Sequence, residues 1–518
     1  MGHLQRSGKE DLVSDYLKKG ARGLLVVFIF SFMGNIAGYL TRAFLARTIS
    51  PEDFGLFYSV FSLSMFLILL AGFGFGEALP KYIADAMARR LEHKIQRIIL
   101  FVAMIRVAIS VILVAALFWL APFLARTYYK TDAAIPVLYL FCIIVPILLA
   151  ARTLYNILQG YQDSFMLGVL GFAEKFFFLI FVVVFAWAGF VMGSVMPAYA
   201  FLWGIILTTL LFIPVVVLKV RAHASDGKAL GARLRNGMTS FAVAAVLSSI
   251  GYLLIGYTDT LMLTYFVDLA QVGIYNTVLP TMLVLSFLSR TVQSVFFPMS
   301  AELYAKKMMD RLREGIRLLE KYSLLIAIPV ALTTVFYPDV ILSVLFGAPY
   351  ATGAMAMQIL SIGLLCYTLG TIYQSALGGI GFPKEVTIIV LISAVFNIVG
   401  NLILIPLAGI VGSAMATSAS YLIIMGLTHW RLSRRLSTSL AWGFLLKMIF
   451  AGAVFAIVVW VAKSAISLNP LIEAVLVVLL GSAAYLLICF ALKAITITEI
   501  KSLLRAITAR PAQQPSAE

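Results

Sequence analysis

Runs of mostly apolar residues alternate along this chain with short polar joins. Fourteen of these runs reach the roughly 20 residues that a helix needs to cross the hydrocarbon of a bilayer. They fall at 23–46, 53–79, 98–122, 135–158, 164–188, 196–218, 238–264, 271–298, 318–337, 353–376, 386–405, 408–430, 441–462 and 470–492. The joins are marked by Pro, Gly or Asp, as at Ser50-Pro51-Glu52-Asp53 and Tyr337-Pro338-Asp339. The pattern predicts an all-α integral membrane protein with about fourteen transmembrane helices. Composition agrees, since 62% of the 518 residues are hydrophobic and only 12% charged, where a soluble domain carries about a quarter charged residues. Residues 1–22 are too charged for the apolar core of a secretory signal, so the amino terminus is expected to stay attached.

The formal charge of +16 invites a nucleic-acid reading until its placement is considered. One set of loops, with the amino-terminal segment and the tail, holds 29 of the 39 Lys and Arg residues when Arg152, near the end of the fourth run, is counted with the join that follows it. The opposite set holds only Arg47, Arg126, Lys130 and Lys463. Cytoplasmic loops carry such an excess. Both termini are therefore expected in the cytoplasm of a cell membrane, and the charge needs no nucleic-acid partner. Three scattered cysteines and four scattered histidines support neither a disulfide framework nor a metal site.

Shifting the sequence by 218 residues aligns the chain with itself. Gly38-Tyr39 falls on Gly256-Tyr257, Gly55 on Gly273 and Pro80 on Pro298. Thr153-Leu154-Tyr155-Asn156 falls on Thr371-Ile372-Tyr373-Gln374, with Gly160 on Gly378. One residue later in register, Gly193-Ser194-Val195-Met196 falls on Gly412-Ser413-Ala414-Met415. Six spans separate equivalent points, so the copies share one orientation and an axis along the membrane normal. The expected organisation is a cytoplasmic segment (1–22), an N-lobe (23–218), an inter-lobe loop (219–237), a C-lobe (238–430), two appended helices (431–492) and a cytoplasmic tail (493–518).

No phosphate-binding Gly-x-x-x-x-Gly-Lys-Ser/Thr loop is present, which argues against transport powered directly by ATP. Outward loops are short and lack histidine, which lowers the case for a membrane-embedded glycan polymerase or ligase. Several charges instead lie inside the apolar runs: Arg42, Arg106, Glu174, Lys175, Asp259 and Arg290. Each costs about 2.5–3.5 kcal/mol at a helix centre on insertion scales, so each is expected to face a partner or a wet cavity. Glu174 and Lys175 are adjacent, project about 100° apart and cannot satisfy one another. Two readings stand for them, a polar cavity wall or an ion pair locking span 5 to Arg106 or another neighbour. Arg42 and Asp259 occupy nearly equivalent places in the repeat, as a gate pair or with Arg42 reaching the outer headgroups. Arg290 favours a cavity role, and its cation suits an anionic diphosphate. Tyr155, Asn156, Gln159, Tyr373 and Gln374 read either as sugar contacts or as polar glue between helices. Glu77, Lys321 and Lys447 read as local partners or as snorkelling side chains.

The run Ala46-Arg47-Thr48-Ile49-Ser50-Pro51-Glu52-Asp53-Phe54-Gly55-Leu56-Phe57 resembles the first-loop signature of the polysaccharide and O-antigen flippases. These belong to the multidrug/oligosaccharidyl-lipid/polysaccharide exporter superfamily. Leu377-Gly378-Gly379-Ile380-Gly381-Phe382-Pro383, followed by Asn397, Asn401 and Pro406-Leu407-Ala408-Gly409, is similar to the family's span 11–12 region. Asp259 is similar to an acidic position of its span 7. The resemblance implies a transporter and no enzyme. Its cargo is polyprenyl-diphosphate-linked oligosaccharide, moved to the outer leaflet by alternating access for polysaccharide biosynthesis. Membrane lipids and other polysaccharide-assembly proteins are the implied partners. It further implies cavity arginines in spans 1 and 8, where Arg42 and Arg290 lie, and a role for spans 13 and 14 in holding the prenyl tail. No cofactor is expected, and a proton or sodium gradient is compatible with Asp259 or Glu174 as the coupling group. The rival from the same superfamily is a drug/cation antiporter, for which an acidic, aromatic cavity is expected.

Overall fold

The computed structural model describes the backbone of residues 2–72, 74–190, 193–222, 230–285, 287–437, 442–466, 468–496 and 499. Within these, the side chains of residues 2–22, 24, 70, 71, 244, 247–249, 252, 284, 285 and 287–295 fall outside the described set. Among the described residues the chain is helical and contains no strand. Its helices are α1 (Gly2–Thr48), α2 (Pro51–Ala71), α3 (Phe75–Ala88), α4 (Ile95–Thr127), α5 (Ala134–Gly160), α6 (Ser164–Trp187), α7 (Val195–Arg221) and α8 (Ala232–Phe266). They continue as α9 (Leu269–Leu285), α10 (Phe287–Ala305), α11 (Met309–Phe336), α12 (Pro338–Phe346), α13 (Ala354–Gly379), α14 (Pro383–Leu436), α15 (Trp442–Ala465) and α16 (Pro470–Ala491).

Among the described residues the apolar runs fall largely on helix, and the all-α membrane class holds. Eleven described helical stretches are long and apolar enough to cross a membrane. The number differs from fourteen for identifiable reasons. The eleventh and twelfth runs share α14, which continues across a non-helical residue at Gly409. The runs 238–264 and 271–298 include side chains outside the described set. The second run still supplies one crossing stretch but is divided into α2 and α3 at Gly74, which has φ 67°. A Cβ there would stand 1.9 Å from the Ala242 carbonyl of α8. Only glycine combines that backbone with that approach.

Contacts group the chain into two compact units. The first comprises Met1–Pro280, Leu345–Tyr350 and Val390–Ala416, and the second Thr281–Val344, Ala351–Ile389 and Thr417–Glu518. In the first, Phe75, Leu79, Ile98, Val102, Leu158 and Met238 form a buried core joining α3, α4, α5 and α8. In the second, α15 and α16 pack through Phe455, Val477 and Tyr485 into a cluster that includes Tyr337. Trp119 and Trp187, near the ends of α4 and α6, are almost fully exposed, as expected of aromatic residues at a membrane boundary.

The join before α2 shows how a motif becomes structure. Ser50 Oγ accepts from the Asp53 backbone N–H (3.1 Å), Pro51 opens the helix, and the Asp53 carboxylate accepts from both Ser50 Oγ (2.8 Å) and Ser194 N (3.0 Å). Ser50 thus caps α2 while Asp53 ties it to the start of α7. One turn on, a Cβ at Gly55 would meet the Leu269 carbonyl at 1.8 Å, and one at Gly273 would meet the Pro51 carbonyl at 2.2 Å. These two glycines, counterparts under the 218-residue shift, bring the backbones of α2 and α9 into reciprocal contact. Residue i of one copy meets residue j of the other and the reverse, which is the signature of a twofold relation.

Candidate functional site

The polar residues of the first unit converge on a cavity of about 400 Å³ between α3, α4, α5 and α8. Arg106 of α4 enters from one side; Arg152, Tyr155, Asn156 and Gln159 of α5 form another; Glu77 of α3 and Ile250 and Leu253 of α8 complete it. Positions 152, 155, 156 and 159 are spaced by three and four residues, which puts them on one face of α5. Arg106 is buried, and its Nη1 donates to Thr153 Oγ1 at 2.7 Å. Its Nε has no hydrogen-bond partner among the described residues. Asn156 Nδ2 donates to the Gly76 carbonyl at 2.6 Å, holding α5 to α3 just beyond the Gly74 break. Arg152 Nη2 donates to Glu174 Oε1 of α6 at 3.2 Å.

The cavity therefore offers two guanidinium groups and one carboxylate, with amide and phenol groups around them. Such a lining can bind an anion flanked by hydroxyl-bearing groups. Charge-assisted bonds from arginine to phosphate oxygens are the strong ones available, and burial raises their strength relative to water.

Arg106, Tyr155, Asn156 and Gln159 thus come together, with Asn156 serving as interhelical glue as well. Glu174 and Lys175 diverge. Glu174 meets Arg152, whereas Lys175 lays its stem along Gly34 and Gly38 of α1 and donates to Asn35 Oδ1 at 2.7 Å. The ion-pair reading of Glu174 holds, with Arg152 in place of Arg106 as its partner. Arg152 was counted among the loop cations in the sequence; it lies inside α5, eight residues before the helix ends. Glu77 lines the cavity in place of capping locally, because the break at Gly74 restarts the helix and reorients the turn that follows.

The expected pairing of Arg42 with Asp259 is not formed. Arg42 Nη1 donates to the Asn276 carbonyl at 2.8 Å and its guanidinium lies 4.1 Å from the Tyr58 ring centroid. Those partners satisfy it inside the protein without recourse to headgroups. Asp259 is buried and accepts from Tyr275 Oη and Asn401 Nδ2, both at 2.7 Å. Asn401 Oδ1 has no hydrogen-bond partner among the described residues. Tyr373 and Gln374 do not join the cavity of the first unit. They are buried in α13 within the second unit, Tyr373 with its ring 4.9 Å from that of His429. Lys321 finds Glu499, 2.9 Å from each carboxylate oxygen. The side chain of Arg290 lies outside the described residues.

The profile of the polysaccharide biosynthesis protein family matches residues 21–304, more than half of the chain. The chain belongs to this family. The match runs from α1 through α10 and so includes the whole cavity of the first unit, and the MatE family profile matches residues 244–403. The resemblance read from residues 46–57 and 377–409 is borne out. Among relatives of this chain, a membrane protein of Methanocaldococcus jannaschii is 29% identical over 96% of this chain and 100% of its own. A probable low-salt glycan biosynthesis flippase of Haloferax volcanii is 25% identical over 51% of this chain and 56% of its own length. The chain thus aligns with little more than half of that flippase. Among solved structures, the lipid II flippase MurJ in an inward closed conformation covers 93% of this chain, with 100% of its own covered, at a TM-score of 0.75 and 15% identity. An inward-facing multidrug resistance transporter of the MATE family covers 80%, with 99% of its own covered, at a TM-score of 0.66 and 15% identity. At such identities the likeness is one of fold.

Proposed function

We propose that this chain carries polyprenyl-diphosphate-linked oligosaccharide across the cell membrane for polysaccharide assembly, by alternating access of its two repeated lobes. The observation that carries this reading is the cationic cavity of the first unit. A diphosphate finds Arg106 and Arg152 there, and a glycan finds Tyr155, Asn156 and Gln159. The basic loops and both termini face the cytoplasm, where lipid-linked cargo would be loaded. No bond in the cargo changes, so the chain works as a transporter and not as an enzyme.

A proton or sodium gradient drives the cycle in this proposal. Asp259 is the coupling group, since its buried carboxylate adjoins the unpartnered Asn401 Oδ1. The drug/cation antiporter remains a second reading because the MatE profile also matches. The two arginines in the cavity disfavour a cationic drug.

The test uses purified protein in vesicles containing lipid-linked oligosaccharide, with appearance of glycan on the far leaflet as the readout. Arg106→Ala and Arg152→Ala are each expected to lower the initial rate about tenfold or more, the effect of losing one charged hydrogen bond of about 1.5–3 kcal/mol. Wild-type rates in both variants would overturn diphosphate recognition by this cavity. Drug efflux without glycan movement would select the antiporter.

A further inference from the structure

A second concavity lies on the flank of the first unit. There α4, α5 and α7 enclose an apolar groove of about 1400 Å³, walled by residues such as Val107, Val111, Leu149, Ile213 and Val217. Gln96, Arg97 and Arg221 stand at one end, and Phe118 and Trp119 at the other. From Gln96 to Trp119, α4 rises roughly 35 Å at about 1.5 Å per residue. The groove therefore follows the full depth of a hydrocarbon core about 30 Å thick. An acyl chain of an ordinary phospholipid belongs to one leaflet and covers about half of that depth. A single molecule that fills the groove from end to end needs a longer hydrocarbon than one such acyl chain.

Arg106 lines both this groove and the polar cavity, as does Leu149. Its residue is only 6% exposed, Nε is unpartnered and no carboxylate pairs with it among the described residues. A buried guanidinium in that state calls for an anion. A molecule that satisfies both features has an anionic head at the arginines and one long apolar chain leading away from it.

We propose that the groove between α4, α5 and α7 seats the isoprenoid chain of the cargo, with its diphosphate drawn from the Arg97 and Arg221 end toward Arg106. This rests on the lipid-linked cargo proposed above, and it assigns the chain to the first unit in place of α15 and α16. The groove and the cavity then serve the two chemically opposed ends of one molecule, and Arg106 holds the junction.

The experiment uses the full chain in phosphatidylcholine vesicles with a polyprenyl diphosphate bearing a photoactivatable diazirine on its chain, and labelled residues are mapped by mass spectrometry. Labelling is expected at groove positions such as Val107, Val111 and Ile213, at least about fivefold above Leu479 and Leu487 on the exposed face of α16. Unlabelled polyprenyl diphosphate should compete, and excess phosphatidylglycerol should not. Filling the groove by Ala150→Trp, or by the milder Ala150→Leu, is expected to reduce labelling up to about tenfold. Labelling concentrated on α15 and α16, or spread evenly over the lipid-facing surface, would overturn the groove while leaving the transport reading intact. Equal competition by phosphatidylglycerol would make it a general anionic-lipid site and overturn the isoprenoid assignment. Failure of the probe to label any position specifically would sink both the groove and the cargo reading beneath it.

Discussion

The two copies of the repeat keep the same polar face and put it to different uses. Thr153, Tyr155, Asn156 and Gly160 on α5 have Thr371, Tyr373, Gln374 and Gly378 as counterparts on α13. In the first copy, α4 presents a buried cation, Arg106, and a cavity stays open beside it. In the second, the related helix α11 presents a buried acid, Glu320. There Tyr373 is packed into a continuous core with Ile372, Ala376 and Leu377. The scaffold of a duplicated helix pair is thus separable from its chemistry. The facing helices differ in where and with what sign they carry a buried charge, since the 218-residue shift puts Leu324 at the place of Arg106 and Val102 at the place of Glu320, and the second copy is the more closely packed around its tyrosine.

That contrast is open to direct attack. The largest effect is expected from Tyr373→Ala, which removes a fully buried ring and should cost about 3–5 kcal/mol of stability. Tyr155→Ala, bordering a cavity, should cost under about 1 kcal/mol on the same thermal unfolding assay in detergent. Equal losses would erase the distinction between closed and open copies. Next, Arg106→Leu should reduce cargo transport by about ten- to a hundredfold, while Glu320→Gln should stay within about twofold of wild type. A transport defect confined to Glu320→Gln would move the site to the second copy.

A smaller effect belongs to Arg152 and Glu174, whose side chains are 45% and 14% exposed. A double-mutant cycle on stability should return a coupling of no more than about 1 kcal/mol. A larger coupling would make the pair a structural lock and weaken its claim to face cargo. The smallest effect lies in the turns that follow α5 and α13. Asp163 caps α6 by accepting from Met166 N at 3.0 Å and pairs with Lys219 at 2.7 Å, whereas its counterpart, Phe382, makes no side-chain cap. Burial opposes ionisation of Asp163, but the Lys219 ammonium and the backbone N–H groups of Met166 and Phe165 outweigh it and hold the carboxyl below its usual range. Its contribution is therefore present above the unfolded value of about 3.9 and is lost as pH falls through the lower folded value. Asp163→Asn should lower stability near neutral pH by a few tenths of a kcal/mol, after discounting for partial exposure, and flatten the acid limb of the unfolding-temperature profile.

The helices were legible in the sequence because the thickness of the bilayer fixes the length of every apolar run. The site was legible only in part. Arg106, Tyr155 and Asn156 could be picked out by charge depth and by duplication. Arg152 was lost in the loop count, although its spacing of four from Asn156 marks the same helix face. Arg42 was recognisable as costly, yet its acceptor is the backbone carbonyl of Asn276, which no side-chain pattern announces. Glu77 was misjudged because a left-handed glycine three residues earlier reorients the chain. The groove along α4 was invisible, since its walls read as ordinary lipid-facing residues until three helices are brought together.

The crossing of Gly55 with Gly273 bears on how such a chain could arise. A half-length ancestor pairing with its own copy would have met itself at one glycine, so a single codon served both sides of the dyad. Once two such copies were fused, the two positions would become independent loci under one shared demand. Substituting either is a steric fault that the other, having no side chain to shorten, is powerless to relieve.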